Sequence, residues 1–261
     1  AKGTSIMTNV NQYGWKALIG SAVGYAMDGF DLLILGFMLS AISADLNLTP
    51  AQSGSLVTWT LVGAVVGGIV FGALSDRYGR VRVLTWTIVL FAVFTGLCAI
   101  AQGYWDLLIY RTIAGIGLGG EFGIGMALAI EAWPAKHRAK AASYVALGWQ
   151  FGVLAAALLT PVLLPHIGWR GMFVVGIFPA FVAWYLRTRL HEPEIFSRKQ
   201  TALSTQKTSK LESFKLLIKD KATTKVSLGV VVLTSVQNFG YYGIMIWMPN
   251  FLSKQLGFSL T

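Results

Sequence analysis

The sequence predicts an all-α protein that crosses a membrane several times, and three observations carry that prediction. Hydrophobic residues make up 55% of the 261-residue chain and charged residues only 12%, too few charges to cover a soluble domain of this size. The apolar residues gather into seven runs, at about 16–42, 52–74, 83–103, 105–130, 140–164, 170–188 and 226–252. At ~1.5 Å of rise per residue, runs of this length suit a hydrocarbon core of about 30 Å. The third observation is the alternation of charge in the connections between them.

Lys2 and Lys16 precede the first run, and only Asp45 follows it. Arg77, Arg80 and Arg82 follow the second, Asp106 the third, Lys136, Arg138 and Lys140 the fourth, and Arg170 the fifth. Ten Lys or Arg then lie between Arg187 and Lys225. By the positive-inside rule the amino terminus and the long connection after the sixth run are expected in the cytoplasm, with the chain in a cytoplasmic (inner) membrane. The net charge of +10 is thereby read as topology and not as a nucleic-acid footprint. Trp15, Trp105, Trp133 and Trp169 stand at expected helix ends, where an amphipathic ring prefers the interface.

Enzyme chemistry finds little support. The one cysteine, Cys98, lies inside an apolar run and offers neither a disulfide nor a thiolate metal site. There is no H-E-x-x-H spacing and no nucleophile elbow, and His137, His166 and His191 fall in expected connections. No metal and no cofactor is expected. The first apolar run is far longer than the core of a signal peptide, so no cleaved leader is expected either.

The second and third runs are joined by G-A-L-S-D-R-Y-G-R-V-R, residues 72–82, which packs four ionised side chains between two uncharged stretches. Gly79 suits a tight turn, and Asp76 can cap or pair across it. The order G-x-x-x-D-R-x-G-R resembles the loop between helices two and three of the major facilitator superfamily of secondary transporters. Gly72, Asp76, Arg77, Gly79, Arg80 and Arg82 match, and Val81 stands where a basic residue is common. The resemblance implies a charge network made in one transport state and broken in the other. It extends to Glu131 to Lys140, E-A-W-P-A-K-H-R-A-K, which resembles the family's E-x-x-P-x-x-x-R loop and would bring Glu131 and Arg138 into that network.

Two runs carry charge at depth. The first reads Y-A-M-D-G-F-D, with Asp28 and Asp31 three residues apart on one helical face and Tyr25 one turn before Asp28. A carboxylate so deep costs about 3 kcal/mol on insertion scales, and two on one face disfavour each other's ionisation. The pair is read as binding protons, contacting substrate, or forming a buried ion pair with Arg111. The fourth run, Y-R-T-I-A-G-I-G-L-G-G-E-F-G-I-G, holds Arg111 and Glu121. Depth counting on antiparallel helices puts Asp31 within roughly 7 Å axially of Arg111, and Asp28 within roughly 5 Å of Glu121. Its glycines satisfy G-x-G-x-x-G, but without a preceding strand they are read as a packing face and not as a dinucleotide site. The family also resembles this chain here, through Arg111, Gly115 and Gly119.

The fifth run has Gly148 and Gly152 in G-x-x-x-G spacing but lacks the proline of the family's exchanger branch; Tyr144, Trp149 and Gln150 are candidates for a polar path. The organisation expected is a cytoplasmic segment at 1–15, a six-helix half at 16–189, a cytoplasmic linker at 190–224 ending in an amphipathic stretch, and the first helix of a second half at 225–261. Offset by 212 residues, F-S-L-T at 258–261 falls on L-N-L-T at 46–49, as parallel halves would have it. Gln237, Asn238 and Tyr241 make the last run polar and are candidate substrate contacts. The fold implied is the major facilitator fold, a six-helix half plus helix seven of a twelve-helix protein.

Within the superfamily, D-G-F-D, R-x-x-x-G, G-G-E and E-x-W-P look like the metabolite and aromatic-acid proton symporters, including sialate- and benzoate-type carriers. That resemblance implies proton-coupled uptake of a small organic anion, a carboxylate, by a monomer in the lipid bilayer. Asp28, Asp31 and Glu121 would relay protons, with Arg111, Tyr25, Gln150, Gln237, Asn238 and Tyr241 contacting substrate. Gly72, Asp76, Arg77, Gly79, Arg80, Glu131 and Arg138 would gate. The alternative is a proton-independent facilitator or exporter.

Overall fold

The computed structural model describes residues 12–188, 219–248 and 251–252. It comprises two compact units, Ala1–Phe196 and Ser197–Thr261. In the first unit the helices are α1 (Gln12–Asp45), α2 (Pro50–Tyr78), α3 (Arg80–Cys98), α4 (Tyr104–Glu131) and α5 (Arg138–Thr188), with a 3₁₀ turn at Ala135–His137. The second contains α6 (Lys221–Tyr242), continued by π-helical Gly243–Trp247.

Local chemistry sets the ends. Thr49 caps α2 in a reciprocal box: its hydroxyl accepts from the Gln52 backbone N–H at 3.2 Å while the Gln52 side chain accepts from the Thr49 N–H at 2.9 Å, and Pro50 opens the helix. Gly79 ends α2 and starts α3 at φ 106°, a conformation that suits glycine alone, so the sequence-based reading of a tight turn there holds. Asp220 caps α6, accepting from the Thr223 N–H at 2.8 Å and the Thr223 hydroxyl at 2.9 Å. Those bonds hold its carboxyl below the usual carboxylate range, so the cap is intact at neutral pH and is lost only in acid.

The separate fifth and sixth runs appear as one stretch of helix, α5, of 51 residues. Such a helix, if straight, would be ~76 Å long, over twice a hydrocarbon core. It is not straight: Gly168, at φ 65° and ψ 176°, leaves the helical conformation and divides it into limbs 138–167 and 169–188. The packing shows that the chain reverses there. Gly148 lies against Ala22 and Gly152 against Ala26, so the first limb runs with α1. Arg170 meets Asp45 and Gly176 faces Ile34, so the second runs against it. His166, expected in a connection, therefore belongs to the end of the first limb.

The same argument orients the other helices. Gly115 lies against Thr60 and Gly119 against Ala64, so α4 runs with α2; Asp31 meets Arg111 and Tyr25 meets Phe122, so α4 runs against α1. Within the first unit each helix or limb thus reverses the one before it. Glycine is what lets α2 and α4 touch: a Cβ at Gly115 or Gly119 would run into the Thr60 or Ala64 carbonyl. Five helices among the described residues are long and apolar enough to cross a membrane, α5 counted as one. Leu18, Tyr25, Ala129, Trp133, Ala141 and Val145 form a core joining α1, α4 and α5, and Ala17, Val81, Val83, Leu84, Ile124 and Leu128 one joining α1, α3 and α4. The chain is an all-α integral membrane protein.

Candidate transport site and gate

Between α1 and α4 lie ionisable side chains that hydrocarbon alone would not tolerate. Arg111 donates from Nη2 to Asp31 Oδ2 at 2.7 Å and from Nη1 to Asp31 Oδ1 at 3.0 Å, a bidentate pair in which both side chains are 0% exposed. The fork geometry of a guanidinium makes the arrangement possible. Removing one partner of such a pair costs on the order of 3–5 kcal/mol, because the other charge is left buried. The face of Phe173, from the second limb of α5, lies 5.6 Å from the guanidinium, and Cys98 of α3 interacts with it from a further side. Arg111 has no exposed surface in this conformation.

One turn along α1, toward the Glu131 end of the bundle, lies a second group. Asp28 and Glu121 are buried, and the Tyr25 phenol sits in the field of both carboxyls. The Tyr25 hydroxyl donates to the Phe122 carbonyl at 2.7 Å. Gly125 lies beside both: a Cβ built there would be in ordinary van der Waals contact, 3.6 Å from Glu121 Oε1 and 3.7 Å from the Tyr25 ring. Phe122 stacks on Tyr25 at 5.3 Å and on Trp149 at 5.3 Å, giving the carboxyl group an aromatic wall shared by α1, α4 and α5. Gln150 is exposed on the next position of α5.

At the Glu131 end the motif residues form a hub centred on Arg80. It contacts Asp76 Oδ1 at 2.9 Å and Glu131 Oε1 at 3.4 Å from Nη2, and donates from Nη1 to the Ser75 hydroxyl at 2.6 Å. Ser75, which motif reading passed over, is fully buried and donates onward to the Gly72 carbonyl at 2.7 Å. Arg77 instead lies over the Tyr78 ring at 5.3 Å, and Arg138 is exposed, so this conformation does not bring either into the hub. At Gly72 a Cβ would meet open space, and nothing in this unit explains the glycine. Close by, Trp133 donates from Nε1 to the Gly14 carbonyl at 3.0 Å and stacks on Trp15 at 5.2 Å, fastening the start of α1.

The opposite end carries a clasp that sequence reasoning missed. Asp45 Oδ2 accepts from Arg170 Nη1 at 2.7 Å and from Trp169 Nε1 at 3.1 Å, while Arg170 Nη2 donates to the Ala101 carbonyl at 3.1 Å. The signal was present, since Asp45 and Arg170 are single opposite charges in connections expected on one side of the membrane. In the second unit Gln237 and Tyr241 lie four residues apart on α6, and the Asn238 side chain donates to the Thr234 carbonyl at 2.9 Å. Residues 190–218 of the expected linker and F-S-L-T at 258–261 lie outside the described residues. No cluster able to hold a metal ion occurs among the described residues.

Comparison with known proteins agrees with this architecture. The chain is 88% identical over 258 residues to a Haemophilus influenzae protein named for metabolite transport, covering 98% of this chain and 63% of that protein. It is 32% identical over 252 residues to the cis,cis-muconate transport protein of Acinetobacter baylyi, covering 96% of this chain and 61% of that protein. Its fold matches the crystal structure of a D-xylose-proton symporter with a TM-score of 0.68 at 24% identity, over 95% of this chain and 64% of the other. The chain therefore spans a little under two thirds of the length of these relatives. Residues 21–261 match the family model of the Major Facilitator Superfamily, and the chain belongs to that superfamily of transporters and is not an enzyme.

Proposed function

We propose that the intact protein takes up a small organic anion, a carboxylate, together with protons across the cytoplasmic membrane. The observation that carries this reading is the fully buried bidentate pair of Arg111 and Asp31. A carboxylate substrate competes with Asp31 for the same guanidinium, and an aspartate released inside an apolar bundle favours taking a proton over standing ionised. Binding of anion and proton are then linked, each favouring the other. Asp28 and Glu121 beside Tyr25 supply a second place for the proton, and Gln150, Gln237, Asn238 and Tyr241 are the proposed further contacts for the anion. The relative that transports cis,cis-muconate, itself a dicarboxylate, supports the substrate class.

The Arg80 hub, with Asp76 and Glu131, is proposed as the gate at the cytoplasmic end, with Gly72, Gly79, Arg77 and Arg138 around it; the transporter is proposed to act as a monomer. The test is uptake of a panel of radiolabelled mono- and dicarboxylates by the intact transporter in liposomes, with and without a protonophore. Accumulation of at least one carboxylate that the protonophore collapses is expected, as is its loss in the Asp28→Asn, Asp31→Asn double variant. Unchanged accumulation in that variant, or uptake indifferent to the gradient throughout, sinks the proton-coupled reading in favour of a facilitator.

A further inference from the structure

The buried guanidinium poses a problem that proton coupling makes acute. Whenever Asp31 is neutral and no substrate carboxylate has taken its place, Arg111 is a buried cation with no ionised carboxylate in its fork. The neighbouring elements supply little to replace it. The nearest other acid on α1 is Asp28, three residues away and beside Tyr25; α4 brings Asp106, five residues away but exposed and accepting from the Gln102 N–H, and Glu121, ten residues along, about 15 Å. The stretch of α2 packed on α4 has no ionisable residue between Ala51 and Ala73, and α3 brings Cys98, whose thiol donates to the Phe94 carbonyl at 3.2 Å. The charge nearest on the second limb of α5 is Arg170, a cation held by Asp45.

What that limb does bring is Phe173. The side chain is 0% exposed and its ring centroid is 5.6 Å from the Arg111 guanidinium carbon, within the range over which the negative face of a ring attracts a cation. The ring is itself fixed. Trp169 stacks edge-on against it at 6.0 Å, and Trp169 is anchored by its indole N–H on Asp45. An unbroken series of contacts thus runs from the Asp45 clasp through Trp169 and Phe173 to Arg111 and Asp31.

We propose that Phe173 is a positioning residue for the transport cycle: its ring, braced by Trp169 and the Asp45 clasp, holds the Arg111 cation in place while Asp31 is neutral. The interaction differs between the two states for an electrostatic reason. An ionised Asp31 cancels much of the guanidinium's field at the ring, and a protonated one does not. The ring therefore stabilises the protonated state more than the ion-paired state. Removing it disfavours proton uptake, so the pH midpoint of coupled transport moves to lower pH.

The test has two arms, of which only the first rests on the proton-coupled reading. In proteoliposomes of the intact transporter, Phe173→Leu is expected to shift the pH midpoint of uptake downward by about half to one pH unit, a three- to tenfold change in proton concentration, with Phe173→Tyr staying near the parent. The second arm uses thermal unfolding of the purified protein and needs no transport. Phe173→Leu is expected to lower the Tm by at least about 2 °C more in an Asp31→Asn background than in the parent, and Phe173→Tyr is expected to show no such excess. If Asp31→Asn does not fold, Phe173→Leu and the parent are compared at mildly acid and at mildly alkaline pH, where the excess loss is expected on the acid side. A ring that only fills space costs the same in both backgrounds and leaves the midpoint in place, and that result overturns the proposal. Absence of any pH-dependent uptake, with the excess Tm loss still present, would fault the coupling reading and leave the role of Phe173 standing.

Discussion

Arg111 shows how much the choice of a single residue decides. A guanidinium satisfies both oxygens of Asp31 from one planar fork, with bonds of 2.7 and 3.0 Å, and keeps donors in reserve. An ammonium at the same place is a point charge on a flexible stem and lacks the planar fork that matches both oxygens. Arg111→Lys is therefore expected to lower substrate affinity by at least about tenfold, because both the resting pair and its exchange for a substrate carboxylate depend on bidentate geometry. Equilibrium binding of a transported carboxylate to the purified variant measures it. Affinity within twofold of the parent would remove Arg111 from the binding step and leave it a structural ion pair.

At the scale of helices, the glycines of α4 act by omission. Gly115 and Gly119 are spaced to meet Thr60 and Ala64 on the parallel helix α2, and the backbones approach so closely that a methyl group has no place. Gly123, four residues further on, is exposed, and a Cβ there would meet nothing within 4 Å. Gly119→Val is accordingly expected to prevent accumulation of folded protein, whereas Gly123→Ala leaves expression and the Tm near the parent or raises the latter slightly. Fluorescence-detected gel filtration of tagged variants distinguishes the two. Equal behaviour would mean that α2 and α4 do not pack as described. The same logic explains Gly168, whose positive φ turns one long helical stretch into two limbs of opposite direction.

For the whole molecule the questions are orientation and gating. Cys98 is fully buried and serves as a silent background for cysteine labelling. A cysteine at the exposed Lys136 is expected to react only from the cytoplasm and one at the exposed Gln102 only from outside. Reaction of both from one side would end the proposed topology. The gate makes a separate demand, since contacts formed in one state bias a conformational equilibrium and not the affinity of a distant site. Asp76 lies at the surface of the Arg80 hub, some 2.9 Å from the guanidinium. Asp76→Asn is expected to lower turnover severalfold with substrate affinity changed by no more than a few fold. A selective loss of affinity with turnover intact would move this loop from gate to site.

The sequence by itself determined the fold class, the positions of the apolar spans, the turn at Gly79 and the packing role of the α4 glycines, and it offered pairing of Arg111 with an acid on α1 as one of three readings. Each follows from a one-dimensional signal: the length of an apolar run, the cost of a charge within it, the spacing of small residues, or a depth count along antiparallel helices. Depth counting also set Asp28 near the level of Glu121, and both lie about Tyr25. Only the tertiary structure decided the azimuth of each side chain, because rotation about a helix axis is fixed by neighbours that the sequence does not rank. That rotation centres the motif hub on Arg80 and not Arg77, brings in Ser75, leaves Arg138 in solvent, and puts Phe173 over Arg111 from a helix 62 residues further along the chain. It also seals Arg111 away from open surface. A charge pattern tells that a cation must be compensated, and packing alone tells which carboxylate and which ring compensate it.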